Sequence, residues 1–204
     1  MTAVLRPFHP ADLPAMYRLC LLTGEAGGDA TSLYRNPDLL AHLYCGPYPI
    51  SDPGLTFVVV DEHGLVGYIV ATADTTAFDR WLAEHWWPTL RAQYPLETVG
   101  QDPGDGTQDH VLVRRMHEWP VEDELPVFAT HPAHMHIDLL PRAQGQGWGR
   151  RMVEALSEAL RARGVHGLHL GVDDRNSGAI AFYEKVGFRT HTAHDWGRTL
   201  TLDL

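Results

Sequence analysis

Pro141-Arg142-Ala143-Gln144-Gly145-Gln146-Gly147-Trp148-Gly149-Arg150 sets three glycines in alternation between an apolar run, His134 to Leu140, and a helical pattern that begins at Gly147. Glycine allows positive φ and close approach of a ligand to the backbone. Successive N–H groups can then point into one concavity, and the helix N-terminus adds partial positive charge. The arrangement suits a pyrophosphate, although the spacing alone also describes a glycine-rich turn before a helix. No Lys-Ser/Thr pair follows, so a Walker loop is excluded, and a dinucleotide fingerprint fits poorly so late in the chain.

Working outward, residues 134–140 read as a strand and 147–163 as a helix with Met152, Val153, Leu156 and Leu160 facing inward. Residues 165–172 form a buried-type strand, 177–186 a helix ended by Gly187, and 188–191 and 199–204 closing strands. A right-handed crossover makes strands 134–140 and 165–172 parallel neighbours. Upstream, Ala3 to Leu5 is a short strand, Asp12 caps a helix, and Pro37 starts a second helix that Gly46, Pro47, Pro49, Pro53 and Gly54 break. Thr56–Val60 and Leu65–Ala71 flank a turn at residues 61–64, a hairpin signal. Thr75 or Thr76 caps a helix carrying Phe78, Trp81, Leu82 and Trp86 on one face. A polar loop at 100–106, a helix at 111–116 and an irregular stretch from Trp119 to Pro132 complete the reading.

The chain has 204 residues, 44% hydrophobic and 21% charged. That length suits one generous domain, and the composition is globular. The net charge is −10, which argues against nucleic acid or an anionic membrane as partner. Residues 1–140 hold 7 basic and 19 acidic side chains, against 9 and 7 in residues 141–204. The first part therefore attracts a cation and the last part an anion. Two cysteines, Cys20 and Cys45, make no disulfide framework. No apolar run approaches the roughly 20 residues of a spanning helix, and a reducing cytoplasm is the expected location.

The second motif is Asp173-Asp174-Arg175-Asn176-Ser177-Gly178-Ala179-Ile180-Ala181-Phe182-Tyr183-Glu184-Lys185-Val186-Gly187-Phe188. With Gln144-x-x-Gly147-x-Gly149 at this spacing, the sequence resembles the GCN5-related N-acetyltransferase (GNAT) superfamily. A wider set of segments is similar to the acetyltransferase-like C-terminal domain of O-GlcNAcase and its free-standing bacterial relatives. These segments are 37–40, 44–48, 61–68, 86–88, 136–138 and 173–174. In the animal domain the loop glycines are lost, whereas Gly145, Gly147 and Gly149 are kept here.

The resemblance implies an α/β (α+β) fold with a mixed, mostly antiparallel central sheet. Parallel strands 134–140 and 165–172 splay apart in it, and helices flank the sheet. It implies a single domain, 1–204, with a helical insertion at about 74–130. It further implies acetyl-CoA as cofactor and CoA as product. Pantetheine lies between the splayed strands and pairs with backbone at Leu139 and Leu140. The N–H groups from Gln144 through Gly145, Gln146, Gly147, Trp148 and Gly149 to Arg150 hold the pyrophosphate, and Asn176 contacts the cofactor. Tyr183 protonates the departing thiolate; a phenol, with an ordinary pKa of about 10, matches an alkyl thiol.

An amine acceptor must lose a proton before it attacks a thioester. His134, His136, Asp138 and Leu140 share one strand face. Asp138 lies nearest the thioester-binding backbone and is the first candidate base, with a buried structural carboxylate as the other reading. His136 joins the acceptor site. Asp173 and Asp174 either bind a cationic acceptor or cap the next helix. Trp86 and Trp87 either wall the acceptor site or belong to the core. The partners expected are a small-molecule amine or a basic peptide, and a homodimer is compatible with the aromatic-rich insertion. His131, His134 and His136 alternate as metal ligands can. No thiolate lies near and no His-Glu-x-x-His occurs, so no metal is expected. The alternative to an enzyme is a non-catalytic acyl-CoA-binding or protein-recognition module.

Overall fold

A computed structural model describes residues 3–119 and 125–204. Seven strands form one sheet in the order β1-β2-β3-β4-β5-β7-β6. They are β1 (Val4–Pro7), β2 (Thr56–Asp61), β3 (Gly64–Thr72), β4 (Ala133–Leu139), β5 (Gly167–Asp173), β6 (Arg189–His194) and β7 (Gly197–Asp203). All neighbouring pairs are antiparallel except β4 and β5, which run parallel. The expected mixed sheet with one parallel pair is what the chain forms.

Helices cover both faces. The first face carries α1 (Leu13–Thr23), α2 (Leu39–Tyr44), α3 (Pro47–Ser51), α4 (Thr75–Trp81), α5 (Trp87–Gln93) and α6 (Asp109–His117), packed on Val58, Tyr68 and Val70. The second face carries α8 (Trp148–Arg161) and α9 (Ser177–Lys185), packed on Ile69, Met135, Leu168, Leu170 and Val172. Strand alternation explains the division: Tyr68 and Val70 point one way, Ile69 and Ala71 the other. Met152, Val153, Leu156 and Leu160 face inward from α8, as their spacing requires.

The connection from β3 to β4 departs from the sequence reading in three places. Asp74, not Thr75 or Thr76, caps α4, its carboxylate accepting from the Ala77 N–H at 2.9 Å. Between α4 and α5 the chain makes a π-helical turn, Leu82–Trp86. The extra residue rotates the inward stripe from the expected Trp86 to Trp87, which is 0% exposed beside Leu82 and Leu90. A short helix α7 (Pro126–Thr130) occupies part of the stretch read as irregular; residues 120–124 of that stretch lie outside the described residues. Earlier in the chain, Pro47 and Pro49 start α3 rather than break the pattern. First-turn N–H groups have no partner within a helix, so proline costs nothing there. Asp12 stands at the start of α1 but does not cap it; its carboxylate takes the Arg6 guanidinium and the His9 N–H. Among the described residues no helix is long and apolar enough to cross a membrane.

Candidate active site

β4 and β5 pair only at Ala133–Leu168 and His134–His169, then diverge. Along β4 the pairing with β3 decides which backbone groups face the resulting wedge. Leu139 lies opposite Gly67, and the Leu140 N–H reaches across to the Val66 carbonyl at 2.9 Å. Leu139 is therefore in a non-hydrogen-bonded pair, and its own N–H and C=O turn away from β3, as do those of Ile137 and Met135. The Leu139 carbonyl accepts from Gln144 Nε2 at 3.0 Å, which leaves the Leu139 N–H directed into the wedge. Leu140 was expected to share this role, but its N–H is already spent on β3.

The wedge leads to the start of α8. Gly145 and Gly147 have φ of 72° and 82°. Gly147 precedes the helix in the left-handed region, where a side chain would be strained. No side chain caps α8, so its first-turn N–H groups remain open donors at the positive end of a 14-residue helix. Gly149 serves packing instead: a Cβ there would stand 2.9 Å from the Phe182 ring. Trp148 is buried, and the Arg151 guanidinium stacks on its ring at 4.6 Å. Gln146 Nε2 binds the Arg142 carbonyl, and Arg150 reaches the Lys185 carbonyl. Gln144 and Gln146 thus brace the loop with their side-chain amides, and the exposed Arg150 guanidinium, bonded through Nη2, keeps cationic donors beside it.

Two proton-bearing groups stand on β4 and on α9. Asp138, on β4, accepts a hydrogen bond from the Tyr68 hydroxyl on β3. Burial pushes the Asp138 carboxyl up to about 6, against the opposing pull of hydrogen bonds from Tyr68 and Thr23. Burial and the Asp138 charge hold Tyr68 protonated, so it is the donor. Tyr183, on α9, is 8% exposed and packs edge-on against Phe188 at 5.4 Å. Burial raises its phenol, and the charge of Asp138 adds to the effect.

An acetyltransferase (GNAT) family model matches residues 112–188. The solved structure of SsHAT is 33% identical, superposes with a TM-score of 0.87, and is covered over 98% of its chain by the whole of this one. The chain belongs to the GNAT acetyltransferase family. Protein O-GlcNAcase of Rattus norvegicus is 24% identical over 187 residues, covering 90% of this chain. The GNAT chain spans about a fifth, 20%, of the length of the curated O-GlcNAcase relatives. A phosphinothricin acetyltransferase from Sinorhizobium meliloti, solved in complex with AcCoA, is 19% identical with a TM-score of 0.56. This match covers all of the GNAT chain and 89% of the other, and it shares the fold.

Several expected site residues of this GNAT chain have other partners. Asp173 holds Arg175 through Nε and Nη2, and Asp174 holds Arg198 at 2.7 Å. Neither caps α9, because Asn176 does so, its side-chain oxygen accepting from the Ala179 N–H at 3.0 Å. Asn176 keeps only its Nδ2 donor for a ligand. Trp87 is core, packed 5.3 Å from the Trp119 ring, and so presents no face to an acceptor. Trp86 is half-buried and donates to the His42 carbonyl at 2.9 Å.

His136 lies on the same face as Asp138. Its Nε2 bonds the Tyr48 hydroxyl at 2.9 Å, and that hydroxyl also bonds His134 Nε2 at 2.8 Å. Tyr44 meets His136 edge-on at 5.5 Å, and the Arg115 guanidinium stands 5.6 Å from the Tyr44 and Trp119 rings. Sequence reasoning passed over Tyr68, Thr23, Tyr48 and Arg115. Tyr68 and Tyr48 join the site through register and helix packing, 70 and 86 residues away from their partners, and no local pattern marks such pairs.

Proposed function

We propose that this protein transfers an acetyl group from acetyl-CoA to an amine by direct attack within a ternary complex. The observation that carries the reading is the β4–β5 wedge, paired at two positions only and leading to the uncapped N-terminus of α8, with the Asp138 carboxyl, raised to about 6, on β4. A base works best with a pKa near the operating pH, and Asp138 satisfies this without a histidine.

Acetyl-CoA, when bound, supplies an activated acetyl thioester and leaves as CoA. The wedge-facing backbone of Ile137 and Leu139 would hold its pantetheine arm. The N–H groups from Gly145 to Arg150, with the open end of α8, would hold its pyrophosphate, and Asn176 Nδ2 adds one donor. Asp138 removes a proton from the acceptor amine at its carboxylate, with Tyr68 fixing the carboxylate's orientation. Tyr183 carries a proton on its phenol oxygen at neutral pH and delivers it to the departing sulfur. Cys20 and Cys45 are buried, and burial raises both thiols; a protonated thiol is a poor nucleophile, which favours direct attack over an acyl-cysteine. The acidic excess in residues 1–140 supports a cationic acceptor, a small-molecule amine or a basic peptide.

Calorimetric titration with acetyl-CoA and with CoA tests the cofactor site. Micromolar binding is expected, followed by acetylation of amines in a screen. Preference for neutral or anionic acceptors would overturn the cationic assignment. Tight binding with only slow, acceptor-independent hydrolysis would establish a non-catalytic acyl-CoA-binding module instead.

A further inference from the structure

Beside Asp138 runs a chain of four hydrogen bonds whose direction is fixed from its far end. The Thr75 hydroxyl donates to the Pro132 carbonyl at 2.7 Å, and a carbonyl can only accept. Its single proton is then spent, so the 2.8 Å contact between Thr75 Oγ1 and His134 Nδ1 is a bond donated by His134. A neutral imidazole carries one N–H, so His134 Nε2 is bare and accepts from the Tyr48 hydroxyl at 2.8 Å. Tyr48 has now used its only proton. The 2.9 Å contact with His136 is therefore donated by His136 Nε2–H, and Nδ1 of His136 is left bare.

The premise that both rings are neutral rests on their surroundings. Around His136 stand Tyr48 of α3, Tyr44 of α2, His134 of its own strand, His169 of β5 and the Arg115 guanidinium of α6. Burial lowers the His136 imidazole to about 4, and Arg115 and His169 add to that. His134 is lowered further by burial, by His136 and by His169. Burial also keeps Tyr48 protonated, with Asp79 adding to it. The chain does not conduct protons onward, because the Pro132 carbonyl cannot take one up. It works as a clamp on a tautomer.

We propose that the bare Nδ1 of His136 receives an N–H of the acceptor amine, and that Thr75, His134 and Tyr48 are positioning residues that hold His136 in this form. The assignment rests on the acetyltransferase reading above. His136 and Asp138 share a face two residues apart, about 7 Å along the strand. An amine nitrogen lying between these two side chains would donate one N–H to His136 Nδ1 and pass a proton to Asp138. An uncharged His136 presents an acceptor to a cationic amine and adds no repulsion. An acceptor lacking an N–H or O–H donor is not held here.

The test uses the full chain labelled with 15N-histidine. Two-bond 1H–15N spectra at pH 7.5 should show His136 bare at Nδ1 and protonated at Nε2, and His134 the reverse. Thr75→Val removes the anchoring hydroxyl; both rings should then populate mixed tautomers, and Thr75→Ser should restore the wild-type pattern. With acetyl-CoA and each of spermidine, glucosamine and a lysine-containing peptide as acceptor probe, Thr75→Val should raise the acceptor KM roughly tenfold while kcat stays within about twofold, the cost of one misoriented hydrogen bond. A protonated Nδ1 on wild-type His136, or tautomers and KM unmoved by Thr75→Val, overturns the proposal. Failure of the acetyltransferase reading is seen separately, as no calorimetric binding of acetyl-CoA while the tautomer pattern persists.

Discussion

Replacing Asp138 with Asn should make the protein more stable and much less active. The carboxyl is raised from the ordinary 3.8 to about 6, so ionising it in the folded state costs more than in the unfolded chain. At about 1.4 kcal/mol per factor of ten, the gap amounts to roughly 3 kcal/mol at neutral pH. Below pH 3.8 the group is protonated in both states and the cost vanishes. Between 3.8 and 6 the unfolded chain releases its proton first and stability falls as pH rises; above 6 the cost is full and constant. Asn carries no charge and keeps an oxygen for the Tyr68 hydroxyl. Its Tm at pH 7.5 should exceed the wild type by about 6–12 °C for a chain of this size, and the gain should shrink toward nothing near pH 4. Turnover should fall by about 10²-fold or more, the usual contribution of a general base. Paired thermal scans from pH 4 to 8, with an acetylation assay at pH 7.5, decide it. An Asn variant less stable than the wild type at pH 7.5, or a gain that does not change with pH, would refute the buried-base argument.

Tyr183→Phe should lower turnover while calorimetric affinity for acetyl-CoA holds; unchanged turnover removes the phenol from the mechanism. Gly147→Val places a β-branched side chain at φ 82° and should weaken acetyl-CoA binding by about tenfold or more, since a strained residue costs about 1–3 kcal/mol; equal affinity would mean the loop is not the pyrophosphate cradle. The kcat/KM of the wild type should rise with pH through a midpoint near 6, where Asp138 loses its proton; a flat profile between pH 5 and 7 argues for a different base. Asp74→Ala should cost about 1 kcal/mol in denaturant titrations, the worth of the cap on α4.

The C-terminal third was legible because its signals are local. Gly147 and Gly187 have positive φ, and each ends or begins a helix where the residue type requires it. The stripe on α8 follows an unbroken 3.6 period. The region between β3 and β4 resisted for an equally physical reason. A π turn adds one residue to the period, so a stripe counted from Phe78 lands on Trp86 while the chain buries Trp87. Asp74 won the cap from Thr75 because the Thr75 hydroxyl is held by the Pro132 carbonyl, a contact 57 residues away that no local rule contains. At the site, Asp138 could be proposed from its place on the strand. Its raised pKa could not, since that comes from burial under the helices packed over the strand, which outweighs the opposing hydrogen bond from Tyr68.

The placement of the site follows from what β4 must do on each side. Its odd-numbered residues turn their backbone toward the wedge and pack their side chains on the second core, as Met135, Ile137 and Leu139 do. Its even-numbered residues point the other way, and three in succession, His134, His136 and Asp138, are titratable. A central strand chosen for stability alone would carry apolar residues there, because burying ionisable groups costs free energy. Here the cost is offset in part by Tyr48, Thr75 and Tyr68, which hydrogen-bond all three. Stripping those tyrosines while keeping the histidines and the aspartate would leave polar atoms buried without partners. Asp138 and His136 were therefore not separable choices from Tyr68 and Tyr48: each ionisable group on the strand needs a fixed donor or acceptor from β3 or from the helices above, and that coupling, rather than the motif residues alone, turns one strand face into a place where a proton can be held and released.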